Sequence, residues 1–305
     1  MPYIKTRDNE MVFVRDTGQK NHRAKSTIIL LHGFGMHSSH WLPFVIPLSY
    51  RFRFLIPDLR GFGQSHLTDH NQTCVLTNYA DDLADIVEHY ELNSFKLAGI
   101  SMGALVALKF LEKYDTKKVS HYLHIDQGPK CMNDKSWRWG LFGNDNSKRL
   151  RHTSSIAEKL SPYIDDHTSY DQLPLNLRIE LWHDLGDFFS SAMSKPALKR
   201  FAKTVCSQEK LISKIMPVKN WPSYIRCVIA YLEQDYDMRA VLEKIEIPIS
   251  LIVGMKSDMY PCGGQLRIAD YSSNCEIIPF ENSGHTPLID QPIRFLKELK
   301  HFSNK

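Results

Sequence analysis

Short apolar runs rich in β-branched residues alternate with longer amphipathic ones along most of this chain, and this alternation constrains the fold more than any other feature. MVFVRD (11–16), STIILLHG (26–33), FRFLIPD (52–58), FKLAGIS (95–101) and SHYLHID (120–126) read as strands, with NYADDLADIVEHYEL (78–92) and GALVALKFLEKY (103–114) as helices. Strands in alternation with helices imply parallel crossovers, and so a largely parallel sheet covered on both faces. The rhythm stops after residue 126. It resumes at IPISLIVG (247–254), followed by the helical QLRIADYS (265–272), the strand CEIIPF (275–280) and a final helix PIRFLKELKHF (292–302). The expected organisation is an α/β core over 1–129 and 237–305, interrupted by a mostly helical lid over 130–236. That insertion holds Trp137, Trp139, Trp182 and Trp221 of the chain's 5 tryptophans.

Composition removes several classes of function. With 43% hydrophobic and 24% charged residues in 305, the chain can bury a sizeable core and is no disordered polymer. Its formal net charge is only +4, and the basic residues are scattered, whereas nucleic-acid binding calls for a clustered basic face. The opening residues, MPYIKTRDNEMVFVRD, lack an uninterrupted apolar segment, and no later stretch approaches a membrane span. A cytoplasmic protein with neither membrane nor nucleic-acid partner is the expectation. Cys74, Cys131, Cys206, Cys227, Cys262 and Cys275 lie far apart without a Cys-x-x-Cys pair, which suits separate thiols better than a disulfide frame or a zinc site.

The stretch GISMG (99–103) sits where a strand passes into a helix with almost no loop between. A residue at such a bend takes an unfavourable backbone conformation, and bulky neighbours two positions away would collide. Gly99 and Gly103 remove those collisions and leave Ser101 at the carboxyl edge of the sheet, where open α/β folds bind ligands. A helix cap is the plainer role for a serine there. Nucleophilic chemistry needs more: a base to take the hydroxyl proton, and a third group to hold that base's tautomer. NSGHTPLIDQP places His285 after the strand CEIIPF, and GMKSDMYP places Asp258 after ISLIVG. The order Ser, Asp, His is the one that a strand-turn-helix nucleophile requires. Two backbone donors for an oxyanion would be the N–H of Met102 and that of Phe34, between Gly33 and Gly35 in HGFGMHSS.

Taken in order, LHGFG (31–35), DLRGFGQS (58–65), GISMG (99–103), GMKSD (254–258) and GHTP (284–287) resemble the α/β-hydrolase fold family over nearly the whole length. HIDQGP (124–129) followed by WRWG is also similar to its cofactor-free haloperoxidase, perhydrolase and esterase branch. Some members of the family take their acid where Asp126 stands, at the end of the strand SHYLHID. Asp126 precedes QGPK at the lid entrance and could bond to backbone instead, so Asp258 is preferred as the acid. His32 and Arg60 fall in family motifs and read as structural, His32 shaping the oxyanion turn and Arg60 the loop after Asp58. DLRGFGQS lacks the lysine and spacing of a phosphate loop. His37, His40 and Trp41 could line the pocket or start a surface helix.

The resemblance implies an α/β hydrolase that needs no cofactor or metal and cleaves small apolar or aromatic carboxylic esters through an acyl-enzyme on Ser101, with His285 and Asp258 completing a triad. A perhydrolase, a carbon–carbon bond hydrolase and a non-catalytic receptor for small ligands are the alternatives on the same fold. Asp at the nucleophile position would mark epoxide hydrolases or dehalogenases. This chain has Ser101 there.

Overall fold

A computed structural model describes residues 2–18, 26–66, 68, 74–114, 116–166, 168–211, 221–234 and 236–305. Its strands are β1 (Tyr3–Lys5), β2 (Met11–Asp16), β3 (Thr27–Leu31), β4 (Arg53–Pro57), β5 (Phe95–Ile100), β6 (Val119–Ile125), β7 (Ile249–Gly254) and β8 (Cys275–Phe280). They form one sheet in the order β1-β2-β4-β3-β5-β6-β7-β8. β1 with β2 and β2 with β4 pair antiparallel, while every pair from β4 to β8 is parallel.

Strands β3 to β7 are buried along nearly their whole length, which is why they read as continuous apolar runs rather than alternating ones, while β8 at the sheet edge leaves Glu276 and Ile277 exposed. Successive side chains nevertheless go to opposite sides. Ile29, Leu31 and Leu97 enter a core shared with helices α1 (Val75–His89) and α2 (Met102–Lys113). Ile28, Leu30, Ala98 and Ile100 enter a second core, which they share with Trp41, Phe44, Phe295 and Leu299.

Between β6 and β7 the chain forms α3 (Asn146–Asp165), α4 (Leu175–Ala192), α5 (Pro196–Cys206) and α6 (Trp221–Glu233), and α7 (Pro292–Asn304) follows β8. The first four of these helices stand between β6 and β7, where the strand–helix rhythm breaks off in the sequence. They are tied to the core by hydrogen bonds from Tyr79 to the Cys227 sulfur (3.3 Å) and from the Thr286 hydroxyl to the Ala192 carbonyl (3.2 Å). No helix among the described residues is long and apolar enough to cross a membrane.

Two local features hold the front of the sheet. Arg60, buried in the loop after β4, pairs with Asp8 (2.7 Å) and with Asp82 on α1 (2.6 Å), a structural role that ties this loop to its neighbours. Asp58 accepts from the Ser38 (2.5 Å) and Gln64 (2.8 Å) amides and ties the turn after β3 to its own loop.

Candidate active site

The turn from β5 to α2 forces the backbone of Ser101 to φ 52°, ψ −125°. A methyl group on Gly99 would lie 2.3 Å from the Gly103 carbonyl oxygen, and one on Gly103 would lie 2.5 Å from the Leu31 carbonyl oxygen. Both are backbone atoms that cannot yield, so glycine is required on each side of the serine. Ser101 is one of five non-glycine residues with positive φ among those described; Asp126 and Phe142 are two of the others. Three of the five therefore lie at this site, as expected where strain is held by the surrounding structure for a functional geometry.

His285, in the loop after β8, reaches both Ser101 and an aspartate. Its Nδ1 is 2.7 Å from Asp126 Oδ2 and its Nε2 is 2.8 Å from Ser101 Oγ. A carboxylate can only accept, so Nδ1–H donates to Asp126. Nε2 is left with its lone pair toward the serine hydroxyl, which donates to it. The Asp126 side chain has no solvent exposure and that of His285 has 6%. Asp126 Oδ1 also accepts from the Gly254 amide (2.6 Å) and from Gln265 Nε2 (3.0 Å), and Oδ2 accepts from the Ser257 hydroxyl (2.8 Å). A buried carboxylate is costly unless its oxygens are satisfied. Here four donors meet it.

The structure brings Asp126, and not the expected Asp258, to His285. Asp258 does not contact His285; its side chain is 57% exposed and pairs with Lys199 of α5. The loop after β7 does reach Asp126, through the hydroxyl of Ser257, one residue before Asp258. β6 lies next to β5, and its last residue, Ile125, is in register with Ile100, so Asp126 emerges beside Ser101. The approach of the β7 loop depends on Gly254, where a methyl group would lie 2.0 Å from the Gly284 carbonyl oxygen and 2.7 Å from Asp126 Oδ1. Sequence reading missed Ser257, Gln265 and Tyr260. The ring of Tyr260 lies 5.9 Å from that of His285. The signal available was the glycine ending IPISLIVG, which opens the end of β7 to a neighbour.

Met102 follows Ser101 as the first residue of α2, and Phe34 lines the same cavities as Ser101. A methyl group on Gly33 would lie 3.2 Å from Ser101 Cβ, which sets the turn that carries Phe34 directly against Ser101. That turn is braced by His32, whose Nδ1–H donates to the Gly33 carbonyl (2.8 Å) while its Nε2 accepts from the Leu59 amide (3.0 Å). The two bonds fix one neutral tautomer, and complete burial holds the imidazole down at about 4. His40 lines the cavity in front of Ser101, whereas Trp41 is buried in the core.

Two cavities open on Ser101. One, of about 60 Å³, is walled by residues of the insertion and by Phe34, Met259 and Tyr260. The other, about 680 Å³, is lined by His285, Thr286, Met36 and His40 together with Phe189, Met193 and Phe201. Cys227 borders the smaller one, but burial pushes its thiol up to about 12, so it presents no thiolate.

A profile described as the alpha/beta hydrolase family matches residues 28–298. The chain is 24% identical over 304 residues to the AB hydrolase superfamily protein YisY of Bacillus subtilis, with 99% of this chain and 98% of that one aligned. It is 23% identical over 269 residues to the pimeloyl-(acyl-carrier protein) methyl ester esterase of Nitrosomonas europaea, covering 88% and 92%. Among solved structures it superimposes on the esterase EaEST from Exiguobacterium antarcticum with a TM-score of 0.75 at 18% identity, covering 99% of both chains. With the family profile spanning most of the chain and the sheet order, the strained serine turn and the inserted helices all in place, the chain belongs to the alpha/beta hydrolase family.

Proposed function

We propose that this protein hydrolyses carboxylic esters through an acyl-enzyme on Ser101, with His285 as general base and acid and Asp126 as the group that orients it. One observation carries the reading: His285 bonds at once to Ser101 Oγ and to a fully buried, fourfold-bonded carboxylate. In the forward step His285 Nε2 takes the serine proton as Oγ attacks the ester carbonyl, and the Phe34 and Met102 amides receive the developing oxyanion. Collapse of the tetrahedral species expels the alcohol, protonated by His285. Water, activated by the same ring, then attacks the acyl-enzyme and releases the acid.

The leaving group must lie where His285 can reach it. His285 lines the larger cavity, which suits the alcohol, while the smaller one suits the acyl group. The helical insertion 130–236 would then act as a cap that supplies most of the acyl wall. Both cavities are mainly apolar, which favours small apolar or aromatic esters over charged leaving groups. The esterase names among the relatives point the same way.

The reading is tested with a fluorophosphonate probe, which needs an activated serine. Stoichiometric labelling that maps to Ser101 and disappears in Ser101→Ala is expected. Undiminished labelling in that variant would place the nucleophile elsewhere and end the proposal.

A further inference from the structure

The smaller cavity at Ser101 is not uniformly apolar. Leu141, Phe142, Leu150, Leu185, Phe188 and Val228 give it hydrocarbon walls, yet Asp184 of α4 and Thr153 of α3 also line it. The Thr153 hydroxyl lies 3.1 and 3.3 Å from the two carboxylate oxygens of Asp184. The ion-pair contact of Asp184 is a long one, 3.9 Å to Nε2 of His152, whose side chain is 69% exposed. Arg149 on α3 acts on Asp184 only through space, since its guanidinium lies over the Phe142 ring at 3.7 Å and donates to Ser191 (2.7 Å). The Asp184 side chain itself is only 16% exposed. A carboxylate so placed has lone pairs in excess of the donors around it, and Asp184 lines the same cavity as Ser101.

We propose that Asp184, with Thr153 beside it, selects substrates whose short acyl chain ends in a hydrogen-bond donor, an ammonium or a hydroxyl group. This deepens the esterase reading above and rests on it. A cavity of about 60 Å³ holds about four to six water-sized groups, so the chain is short. A terminal donor would complete the carboxylate's hydrogen bonds inside an apolar enclosure, where a charge-assisted bond is stronger than in water. A methyl terminus leaves the carboxylate without that donor. A terminal carboxylate adds like-charge repulsion.

The test compares p-nitrophenyl esters of hexanoic, 6-hydroxyhexanoic, 6-aminohexanoic and adipic acids, the last as the monoester. Their acyl chains are of similar length and their leaving group is the same. With the wild-type protein kcat/KM should fall from the amino and hydroxy esters through hexanoate to adipate. The amino ester should exceed hexanoate about 10- to 100-fold, the range that a charge-assisted hydrogen bond supplies. Asp184→Asn should erase the preference for amino over hydroxy, and Asp184→Leu should make hexanoate the best of the four. If Asp184→Leu does not fold, the Asn variant and Thr153→Val carry the comparison. Ser101-dependent turnover with a flat series, or with adipate preferred, overturns this proposal and leaves the esterase reading standing. Absence of both turnover and fluorophosphonate labelling overturns the two together.

Discussion

Four hydrogen-bond donors around Asp126 make its charge, not its shape alone, the reason that it is tolerated in the interior. Asp126→Asn would offer an amide where acceptance is needed, and would favour the His285 tautomer with its proton on Nε2. That tautomer cannot take the serine proton. Turnover should drop by about 10⁴-fold, the loss seen for the same change in serine proteases. Asp258→Asn should alter it only a few-fold, because a surface ion pair contributes about 0–1 kcal/mol. Steady-state kinetics on the two variants, with circular dichroism to exclude misfolding, decides the matter. An equal or larger loss from Asp258→Asn would return the role to that residue. The choice between the two acids was not legible in the sequence because both follow strands. What separates them is the positive φ of Asp126, 44°, a backbone angle that no apolar pattern encodes.

Among the elements, those that serve the nucleophile were the easiest to read. FKLAGIS and GALVALKFLEKY became β5 and α2 within a residue at each end, since an apolar run bounded by glycines and a helical repeat admit few other folds. β1 went unread because YIK is three residues with only Ile4 turned inward. The helices of the insertion were legible as a break in rhythm but not in their bounds; α3 has polar residues along much of its length and even contains Pro162. QLRIADYS divides into two short helices, Cys262–Leu266 and Ile268–Tyr271. Arg60 is the element-scale counterpart of buried Asp126, joining the β1–β2 turn through Asp8 to α1 through Asp82. Arg60→Ala would strand buried Asp82, and loss of one partner from a buried pair costs about 3–5 kcal/mol. Urea unfolding should record that loss, while the folded fraction still takes the probe at Ser101. The Arg60 hydrogen bond also holds the Asp8 carboxyl well below its usual range. Its contribution is therefore present above the ordinary carboxylate pKa of about 3.9 and is lost as pH falls below that value.

Across the whole molecule, stability should fall with acid earlier than Asp8 alone would dictate. His32 and His124 are fully buried, and desolvation holds both at about 4. In the unfolded chain they bind a proton near about 6.5, so between these values the unfolded state binds more protons and stability falls as pH is lowered. Each ring is fully neutral, and its contribution fully present, above about 6.5; by pH 4 each has withdrawn on the order of 3 kcal/mol. Thermal unfolding from pH 7 to 4 should show a steep decline that His32→Gln makes shallower, whatever that variant's stability at pH 7. An unchanged slope would contradict the assignment. The position of the acid has one more consequence, in the order in which a ribosome delivers the site. Ser101 and Asp126 leave the exit tunnel on consecutive strands of one β–α–β unit, whereas His285 follows Asp126 by 159 residues, after the helical insertion and β8 have been made. A nascent chain therefore carries a hydroxyl beside a waiting carboxylate until β8 and the loop after it have been made. Stalled chains ending before β8 should ignore the fluorophosphonate probe, and those released beyond α7 should accept it.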